Sequence, residues 1–529
     1  MTGTTAPADP VTDPQRAWSR LLWSRRAWGW WGPLLVACAG FMLRVWHLSR
    51  PNRLQFDETY YAKDAWSMLR FGFPREWIDK ADERIIDHQF DGLFTGQPEQ
   101  FVHPPAGKWF IAAGEQIFGL NAFGWRIAAA VTGALTLFVL ARLVIRLTGS
   151  VVMGCLAGSV LALDGLHFVL SRLALLDVFL TFWLVCAVAC LAADRDWIAA
   201  RLRRWRPWRP WQLAAGACFG LACATKWSGV YPVAAFGLAI VGWEVLARYR
   251  AARHEDGLPW RGWIGTTLTV GVPAFVLIVG MGFVVYIATW TSWLIHYDVF
   301  AEQFGHGYGD HPSWGAWVNE PASTTMGHVV DALRSLWHYH VMTYDFHTGS
   351  YLRGKSHPYE SGPAGWLVLS RPVAVDAQND LPAASCGAAA DSSCMREVLM
   401  LGNPVVWWSG VLAIIAGIVT WFRTRNWAMG WALLAIAATW LPWFAFMSRP
   451  IFSFYAVTVL PFTIVVMCLL VHAVYRSAPS PRARYGLWLA VGAWCVAVVV
   501  AFWYFYPIWT DALIPYDAWR QRMWFSTWI

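Results

Sequence analysis

Long apolar blocks with few charges run through almost the whole chain and limit what it can fold into. The 529 residues are 57% hydrophobic and only 14% charged, whereas ordinary soluble domains carry about 25% charged residues. Many of the blocks reach about 18 residues or more, which is the length that a helix needs to cross a bilayer. The 39 Trp agree with this, because Trp collects at membrane interfaces. The sequence therefore predicts an all-α, multi-pass integral membrane protein.

Eleven membrane spans are predicted from these blocks. No internal repeat is visible, which disfavours a transporter built from inverted repeats. Few acids lie near the middle of a span, and Asp164 is the main exception. The predicted spans cover residues 28–46, 122–147, 151–171, 174–194, 211–226, 228–247, 264–290, 403–422, 427–447, 451–475 and 485–508.

Arg residues mark one side of the membrane. With eleven spans, every Arg-rich segment falls on the same side, which the positive-inside rule identifies as the cytoplasm. Residues 1–27 then form a cytoplasmic tail, 28–508 the transmembrane domain and 509–529 an extracytoplasmic tail. Two long segments, 47–121 and 291–402, also lie outside. The Arg residues behind this argument are Arg16, Arg20, Arg25, Arg26, Arg195, Arg201, Arg203, Arg204, Arg206, Arg209, Arg248, Arg250, Arg253, Arg261, Arg423, Arg425, Arg476, Arg482 and Arg484.

The charge balance and the cysteines narrow the class further. The formal net charge is +8, but the Arg residues sit in short loops and no nucleic-acid motif is present, so no nucleic-acid partner is predicted. The first apolar block is interpreted as a membrane helix, because no small-residue cleavage site follows it. Cys386 and Cys394 alone fall outside apolar blocks. Both lie in the second external segment, where an oxidising compartment favours a disulfide between them.

Two adjacent carboxylates follow the first span. Asp57 and Glu58 lie in the sequence Leu54-Gln-Phe-Asp-Glu-Thr-Tyr-Tyr-Ala-Lys63. A hydroxyl group is a weak nucleophile and needs a carboxylate to take its proton, so the pair is a candidate general base at the membrane surface. The alternative is structural, since both acids could cap a helix and complement its dipole.

The first external segment ends with a second motif, Phe101-Val-His103-Pro-Pro-Ala-Gly-Lys108-Trp109. Two successive Pro residues fix an extended backbone and remove two N–H donors. One interpretation is a rigid turn that presents His103 beside the carboxylates. The other is a rigid entry into an interfacial helix.

Together these motifs resemble those of the protein O-mannosyltransferases, the dolichyl- or polyprenyl-phosphate-mannose-dependent enzymes of the GT-C superfamily. The resemblance covers nearly the whole chain in order, and it rests on the combination because each motif alone is weak. The other motifs are Trp125-Arg126-Ile127, Ser171-Arg172, Leu176-Asp177, Thr225-Lys226-Trp227, His338-Tyr339-His340, Phe346-His347-Thr348-Gly349 and Ser356-His357-Pro358-Tyr359.

The resemblance implies a GT-C fold in the bacterial plasma membrane, with two external helical loops that form a cap. Eukaryotic members carry a large β-trefoil insert, the MIR domain, in the later loop, and residues 291–402 leave no room for it. The implied activity is transfer of mannose from polyprenyl-phosphate-mannose to Ser or Thr hydroxyls of secreted or membrane proteins. The expected partners are the lipid-linked donor, membrane lipids and unfolded secretory polypeptides, with the translocon as a place to meet them.

Four cations are candidates for binding the departing phosphate. A sugar phosphate already has a good leaving group, so the site needs one base and cations rather than a general acid. The topology brings Arg126, Arg172, Lys226 and Arg449 to the outer face, where the acids lie. The alternative for each of them is snorkelling to the interface.

Histidines are concentrated in the second external segment. Four of them, His338, His340, His347 and His357, are candidates for hydrogen bonding to sugar or phosphate. A metal is less favoured, since the spacing of His338 and His340 does not suit one helix face and no third ligand is obvious. No cofactor and no metal site are assigned, although a divalent metal stays open. Packing at an interface is the remaining alternative.

The predicted reaction is a single displacement that inverts the anomeric centre. Asp57 is the predicted base, and Glu58 would bind the sugar or orient the acceptor. The reason is that one pair of carboxylates is present without a separate nucleophile. Two alternatives stay open, namely a GT-C enzyme that glycosylates a lipid or a cell-wall glycan, and a membrane transporter.

Overall fold

The computed structural model describes most of the chain, namely residues 25–202, 204–254, 261–320 and 322–529. Most of the predicted cytoplasmic tail, residues 1–27, therefore lies outside the described residues, and so do Arg16, Arg20 and Arg203 of the orientation argument. Helices dominate the described part of the chain, in agreement with the predicted fold class.

Eight helices in the described part of the chain are long and apolar enough to cross a membrane. Apolar residues are spread around the circumference of these helices, because a spanning helix meets lipid or protein on every side. Their bounds are Ala122–Thr148, Asp177–Ala199, Trp227–Arg253, Gly262–Thr289, Pro404–Thr424, Trp427–Phe446, Leu460–Ser477 and Pro481–Trp509.

The other three predicted spans also coincide with helical structure, which is shorter or more polar. The predicted span 151–171 is broken, because Asp164 starts a new helix by accepting a hydrogen bond from the backbone N–H of His167 at 3.0 Å. Every predicted span thus has a helical counterpart. The helices in question are Arg25–Val45, Val151–Ala162 followed by Gly165–Leu170, and Pro210–Cys223.

The first external segment combines helices with a small sheet. Strands β1 (Arg75–Trp77) and β2 (Phe94–Pro98) pair antiparallel. The last helix of the segment begins directly after the His-Pro-Pro motif, as the interpretation of a rigid helix entry expects. The helices of this segment are Glu58–Phe71, Ala81–Ile86 and Ala106–Phe118.

The second external segment contains a sheet that corrects the expectation of a purely helical cap. Strands β3 (Val373–Leu381) and β4 (Cys394–Met400) form an antiparallel hairpin, and β5 (Ile514–Pro515) from the C-terminal tail pairs with β4. This sheet depends on pairing between distant parts of the chain. The helices of the segment are Thr291–Ile295, Tyr297–Phe304, Thr325–Thr348, Ser350–Arg353 and Pro363–Trp366, and the tail adds Tyr516–Arg520.

Hydrogen bonds join the C-terminal tail and both external segments on one face of the molecule. Trp528 Nε1 donates to the carbonyl of Leu369 at 2.6 Å. Arg53 of the first segment donates through Nε to Asp376 of the second at 3.0 Å. These contacts cannot cross a bilayer, so the three segments lie on the same side of it. This requires an even number of spans between consecutive segments, as the eleven-span topology has.

A disulfide joins Cys386 and Cys394 at the turn of the β3–β4 hairpin, with 6.0 Å between the two Cα atoms. We expect the bridge in non-reduced peptides of freshly purified protein, and we expect its reduction to lower the free energy of unfolding by about 2–3 kcal/mol. Mass spectrometry after alkylation of the denatured, non-reduced protein detects the bridge, and chemical unfolding with and without reductant measures the change in free energy. Cys38, a free thiol, is the positive control for alkylation. Alkylation of both hairpin cysteines would contradict the bridge.

Candidate active site

A cavity of about 450 Å³ lies where the external segments meet the membrane helices. Four of the predicted substrate-binding residues line it, namely His103, Lys226, His347 and Arg449. A smaller space adjoins the cavity and extends to Asp177. The rest of the wall is mainly aromatic and includes Trp227, Tyr231, Tyr286, Tyr344, Trp443, Phe446 and Tyr455.

Lys226 is held in the cavity by Asp177. Its ammonium nitrogen lies 2.7 Å from Oδ2 of Asp177, and both side chains are buried. Lys226 follows the helix Pro210–Cys223, and Asp177 begins the helix Asp177–Ala199. Two membrane helices therefore bring one buried ion pair to the cavity. The ammonium group keeps further N–H donors that an anion could use.

Two histidines and Arg449 form another part of the wall. The rings of His103 and His347 stack with centroids 5.4 Å apart. Nε2 of His347 donates to the carbonyl of Val102 at 2.9 Å, so Nδ1 accepts from Arg449 at 3.1 Å. Burial lowers the pKa of His347 to about 4, and burial together with nearby cations holds the pKa of His103 well below its usual value. Both rings are neutral at pH 7, and the positive charge here belongs to Arg449.

Asp57 does not line the cavity, but it lies at the start of the helix Glu58–Phe71, close enough to Lys226 and Asp177 for their charges to shift its pKa. Its carboxylate makes no capping bond to the helix and instead accepts from the hydroxyl of Tyr61 at 3.3 Å. The ring of Tyr61 is 6.2 Å from that of His103. Phe56, the residue before Asp57, has a left-handed backbone with φ 51°. This conformation is costly and is typical of functional sites. The capping alternative therefore does not describe the Asp57 side chain.

The pKa of Asp57 is raised to about 6, mainly by burial. The charge of Asp177 raises this pKa further, whereas Lys226 and the hydrogen bond from Tyr61 lower it. A general base works best with a pKa near the operating pH, where it is ionised and still takes up a proton. The carboxyl is therefore mostly ionised at pH 7, and the ionised fraction falls as the pH drops through about 6.

Glu58 does not face the cavity. Its carboxylate is fully buried and pairs with Arg126, whose Nε and terminal NH2 lie 2.8 Å and 2.7 Å from its two oxygens. The backbone N–H groups of Gln55 and Ala174 also donate to it, at 3.0 Å and 2.8 Å. This placement corrects the expectation that Glu58 contacts the sugar or the acceptor. The side chain instead ties the start of the Asp57 helix to the membrane helices.

Arg126 and Arg172 were predicted to bind the departing phosphate, but the structure pairs both of them with acceptors of the protein itself. All five N–H groups of Arg126 are used, by Glu58 and by backbone carbonyls. Arg172 donates only to backbone carbonyls near the end of the first helix, where such groups lack helical partners. The carbonyls belong to Leu48, Pro51 and Arg53 for Arg126, and to Arg44, Trp46 and His47 for Arg172.

The three remaining histidines do not line the cavity, which corrects their assignment as substrate ligands. His340 supports the wall from behind, since its Nε2 lies 2.7 Å from the hydroxyl of Tyr286 and its ring stacks on Trp227. His338 and His357 each pack against an aromatic ring. Across the described ranges, no group of three or more His, Cys, Asp or Glu side chains is placed to hold a metal ion.

Several contributors to the site were not assigned from the sequence. Asp177 belongs to one of the recognised motifs, but its pairing with a cation has no local signal. Tyr61 follows Asp57 by one helical turn, a spacing that puts two side chains on one face and could have pointed to it. Aromatic wall residues such as Tyr231 and Tyr455 reach the cavity through tertiary packing alone.

Two family profiles and several curated relatives match this chain. The profile of the dolichyl-phosphate-mannose-protein mannosyltransferases matches residues 34–278. The profile of the C-terminal four-helix membrane region of protein-O-mannosyltransferase matches residues 332–528. A polyprenol-phosphate-mannose–protein mannosyltransferase of Mycolicibacterium smegmatis is 33% identical over 527 residues, which cover 95% of this chain and 93% of the relative. The chain belongs to the protein O-mannosyltransferase family.

A second relative and a solved structure agree with this membership. The protein of the same name from Mycobacterium tuberculosis is 34% identical over 517 residues, which cover 93% of this chain and 90% of the relative. The protein O-mannosyltransferase complex Pmt1-Pmt2 of S. cerevisiae, bound to the sugar donor, has a TM-score of 0.70 at 14% identity. The match covers 98% of this chain and 95% of the yeast chain. The O-mannosyltransferase described here thus has the GT-C fold that its motifs predict.

Proposed function

We propose that this O-mannosyltransferase transfers mannose from polyprenyl-phosphate-mannose to Ser or Thr hydroxyls of proteins, in the cavity beside Asp57. The observation that carries the proposal is a half-buried carboxylate, with a pKa of about 6, next to a cavity that holds Lys226 and Arg449. One base and cations for the leaving group are what transfer from a lipid phosphate requires. The names of the curated relatives point to the same donor and to a protein acceptor.

Asp57 takes the proton of the acceptor hydroxyl as the hydroxyl oxygen attacks the anomeric carbon. The bond between mannose and phosphate breaks in the same step, and the phosphate leaves with its electron pair. Among the described carboxylates near the cavity, Asp177 is paired with Lys226 and Glu58 with Arg126. Asp57 has no such cation partner, so it serves as the base of a single displacement with inversion.

Lys226 and Arg449 stabilise the negative charge that develops on the departing phosphate. Nε of Arg449 is buried and has no partner among the described residues. A phosphate oxygen in the cavity would accept from the terminal N–H groups of Arg449 that His347 leaves free. His347 contributes by orienting Arg449 through Nδ1. In this proposal Lys226 and Arg449 alone bind the departing phosphate, whereas the sequence predicted four cations for that role.

The aromatic part of the wall suits the lipid tail of the donor. Tyr231, Trp443 and Phe446 lie on two helices that cross the membrane, Trp227–Arg253 and Trp427–Phe446. Apolar and aromatic walls with a few polar groups are typical of ligand cavities. The isoprenoid chain would therefore leave the cavity between these helices and enter the bilayer, while the phosphate stays beside Lys226.

A transfer assay with purified enzyme tests the proposal. The donor is radiolabelled polyprenyl-phosphate-mannose, the acceptor is a synthetic Thr-rich peptide, and a peptide with Ala at every Thr position is the control. We expect label in the Thr peptide alone, with the mannose bond inverted relative to the donor. Label in a membrane lipid or a glycan, with none in the peptide, would favour the other type of GT-C enzyme and contradict the proposal.

Lys226→Gln is expected to slow transfer and to move its pH dependence. Wild-type transfer should fall as the pH drops through about 6, because only the ionised carboxylate of Asp57 accepts a proton. Lys226 lowers this pKa and Asp177 raises it, so loss of the ammonium group moves the midpoint to higher pH. Rates measured from about pH 5 to pH 8 show the shift. Arg334→Gln, an exposed change on an external helix, is the control, and an unmoved midpoint in Lys226→Gln would contradict the assignment.

The active site faces the outside of the bacterial plasma membrane in this proposal. Unfolded secretory polypeptides would meet it there as they leave the translocon. We expect reporter fusions within residues 195–210 and 476–484 to give cytoplasmic signals. Fusions in 47–121, in 291–402 and after residue 508 should give external signals, because positively charged loops stay inside. A cytoplasmic signal from the C-terminal tail would contradict the eleven-span topology.

A further inference from the structure

A second cavity, of about 550 Å³, shares no lining residue with the active-site cavity. It lies on the face formed by the external segments, between the end of the first helix, Arg25–Val45, and the end of the last membrane helix, Pro481–Trp509. The proposed transfer reaction makes no use of it. Four guanidinium groups line it, those of Arg50, Arg53, Arg172 and Arg396.

Only part of this positive charge is neutralised. Arg53 donates to Asp376 through Nε at 3.0 Å. Asp511 lies 3.7 Å from Arg53 and 3.8 Å from Arg396. Two carboxylates therefore face four guanidinium groups, which leaves an excess of two positive charges.

Two of the guanidinium groups have N–H donors that form no hydrogen bond to a described residue. No described residue forms a hydrogen bond or ion pair with the exposed side chain of Arg50. The Arg396 side chain is 41% exposed, forms no hydrogen bond to a described residue, and lies 3.8 Å from Asp511, which is too long for one. Arg172 differs, because it donates to backbone carbonyls. Arg50 and Arg396 are therefore the groups that an anion would bind first.

The cavity lies at the level of the bilayer interface. Trp46, which lines it, follows the first membrane helix and is 63% exposed. Tyr506, in the last turn of Pro481–Trp509, lines it as well. Trp and Tyr at the ends of membrane helices mark the depth of the lipid headgroups. A basic pocket at this depth meets the phosphates of lipid headgroups.

We propose that this basic cavity binds a phosphate group, supplied by an anionic lipid headgroup or by free phosphate. The planar guanidinium fork matches phosphate oxygens and forms charge-assisted hydrogen bonds with them. The bound phosphate would also steady the chain from Trp46 to Arg53. The carbonyls of Pro51 and Arg53 in this stretch accept from Arg126, and the stretch leads directly to Asp57.

The experiment uses the full chain and two probes. Native mass spectrometry from nanodiscs counts retained phosphatidylglycerol against phosphatidylcholine, and equilibrium binding in uncharged detergent measures radiolabelled inorganic phosphate. The variants are Arg50→Gln/Arg396→Gln and Arg50→Gln alone. The matched control is Arg423→Gln. Arg423 is exposed and lies at the end of the helix Pro404–Thr424 that is far from the external segments. Arg50→Gln guards against misfolding of the double variant, because its side chain has no described partner to lose.

Wild type and Arg423→Gln should bind at least one of the two probes. The double variant should lose about tenfold or more in affinity, and Arg50→Gln part of that, without a change in thermal stability when neither probe is present. Selective retention of phosphatidylglycerol would identify the lipid headgroup as the source, and binding of inorganic phosphate alone would identify the free anion. Equal binding by the double variant, equal loss in Arg423→Gln, or binding of neither probe by the wild type would overturn the proposal.

Discussion

Asp57→Asn is expected to reduce mannose transfer by about 100-fold or more while the protein stays folded. The change keeps the size of the side chain and removes the group that accepts the proton, and the amide oxygen can still accept from Tyr61. Burial raises the pKa of Asp57, which means that folding disfavours its ionised form at pH 7. A neutral Asn removes this cost, so thermal stability should be unchanged or higher. The transfer assay and thermal unfolding in detergent measure the two effects.

Asp87→Asn is the matched control for this prediction. Asp87 is an exposed acid of the same external segment, so its replacement should change neither transfer nor stability. Wild-type transfer by Asp57→Asn would remove Asp57 from the reaction. Parallel loss of transfer and of thermal stability would indicate a structural role instead. A combination of lost rate and retained stability is what a base in a partly buried site gives.

The positions of the membrane helices could be predicted from the sequence because the length of an apolar block is a local property. Each predicted span has a helical counterpart, and the four spans between the second external segment and the C-terminal tail agree with the pairing of these two parts of the chain. The break at Asp164 was not predicted, because a capped interruption leaves the block apolar on average. The β3–β4–β5 sheet was missed because β3 is rich in Ala, Asp and Asn, which are depleted in strands, and because β5 comes from the tail.

The candidate site was predictable in its residue types but not in its pairings. Charge and position brought Arg126 and Lys226 to the same face, yet their surroundings differ. Arg126 is enclosed by acceptors that already use every donor, whereas Lys226 has one partner, Asp177, and borders a cavity. A sequence shows which groups are present, and only packing shows which of them are already satisfied. Asp57 and Glu58 differ in the same way, because Glu58 is paired with Arg126 and Asp57 has no cation partner.

Glu58→Gln is expected to lower the free energy of unfolding by about 3–5 kcal/mol, in contrast to Asp57→Asn. The Glu58 and Arg126 side chains are fully buried, so loss of one charge leaves the other uncompensated away from water. The new amide group also presents N–H donors where Arg126 or the backbone N–H groups of Gln55 and Ala174 need an acceptor. Thermal or chemical unfolding of the purified protein measures the loss, and a lower yield of folded protein should accompany it.

The double variant Glu58→Gln/Arg126→Gln decides whether this ion pair has a structural role only. We call the pair a clamp, because it would hold the start of the helix Glu58–Phe71 against the membrane helices. Removing both charges leaves no unpaired ion in the interior, so the double variant should be more stable than either single variant. The recovery should be incomplete, because three backbone carbonyls still lose the donors that Arg126 supplied. Transfer should recover along with stability, since the clamp acts on the reaction only by holding the chain that carries Asp57. If Glu58→Gln kept wild-type stability and lost transfer alone, Glu58 would contact a substrate and the clamp would be wrong.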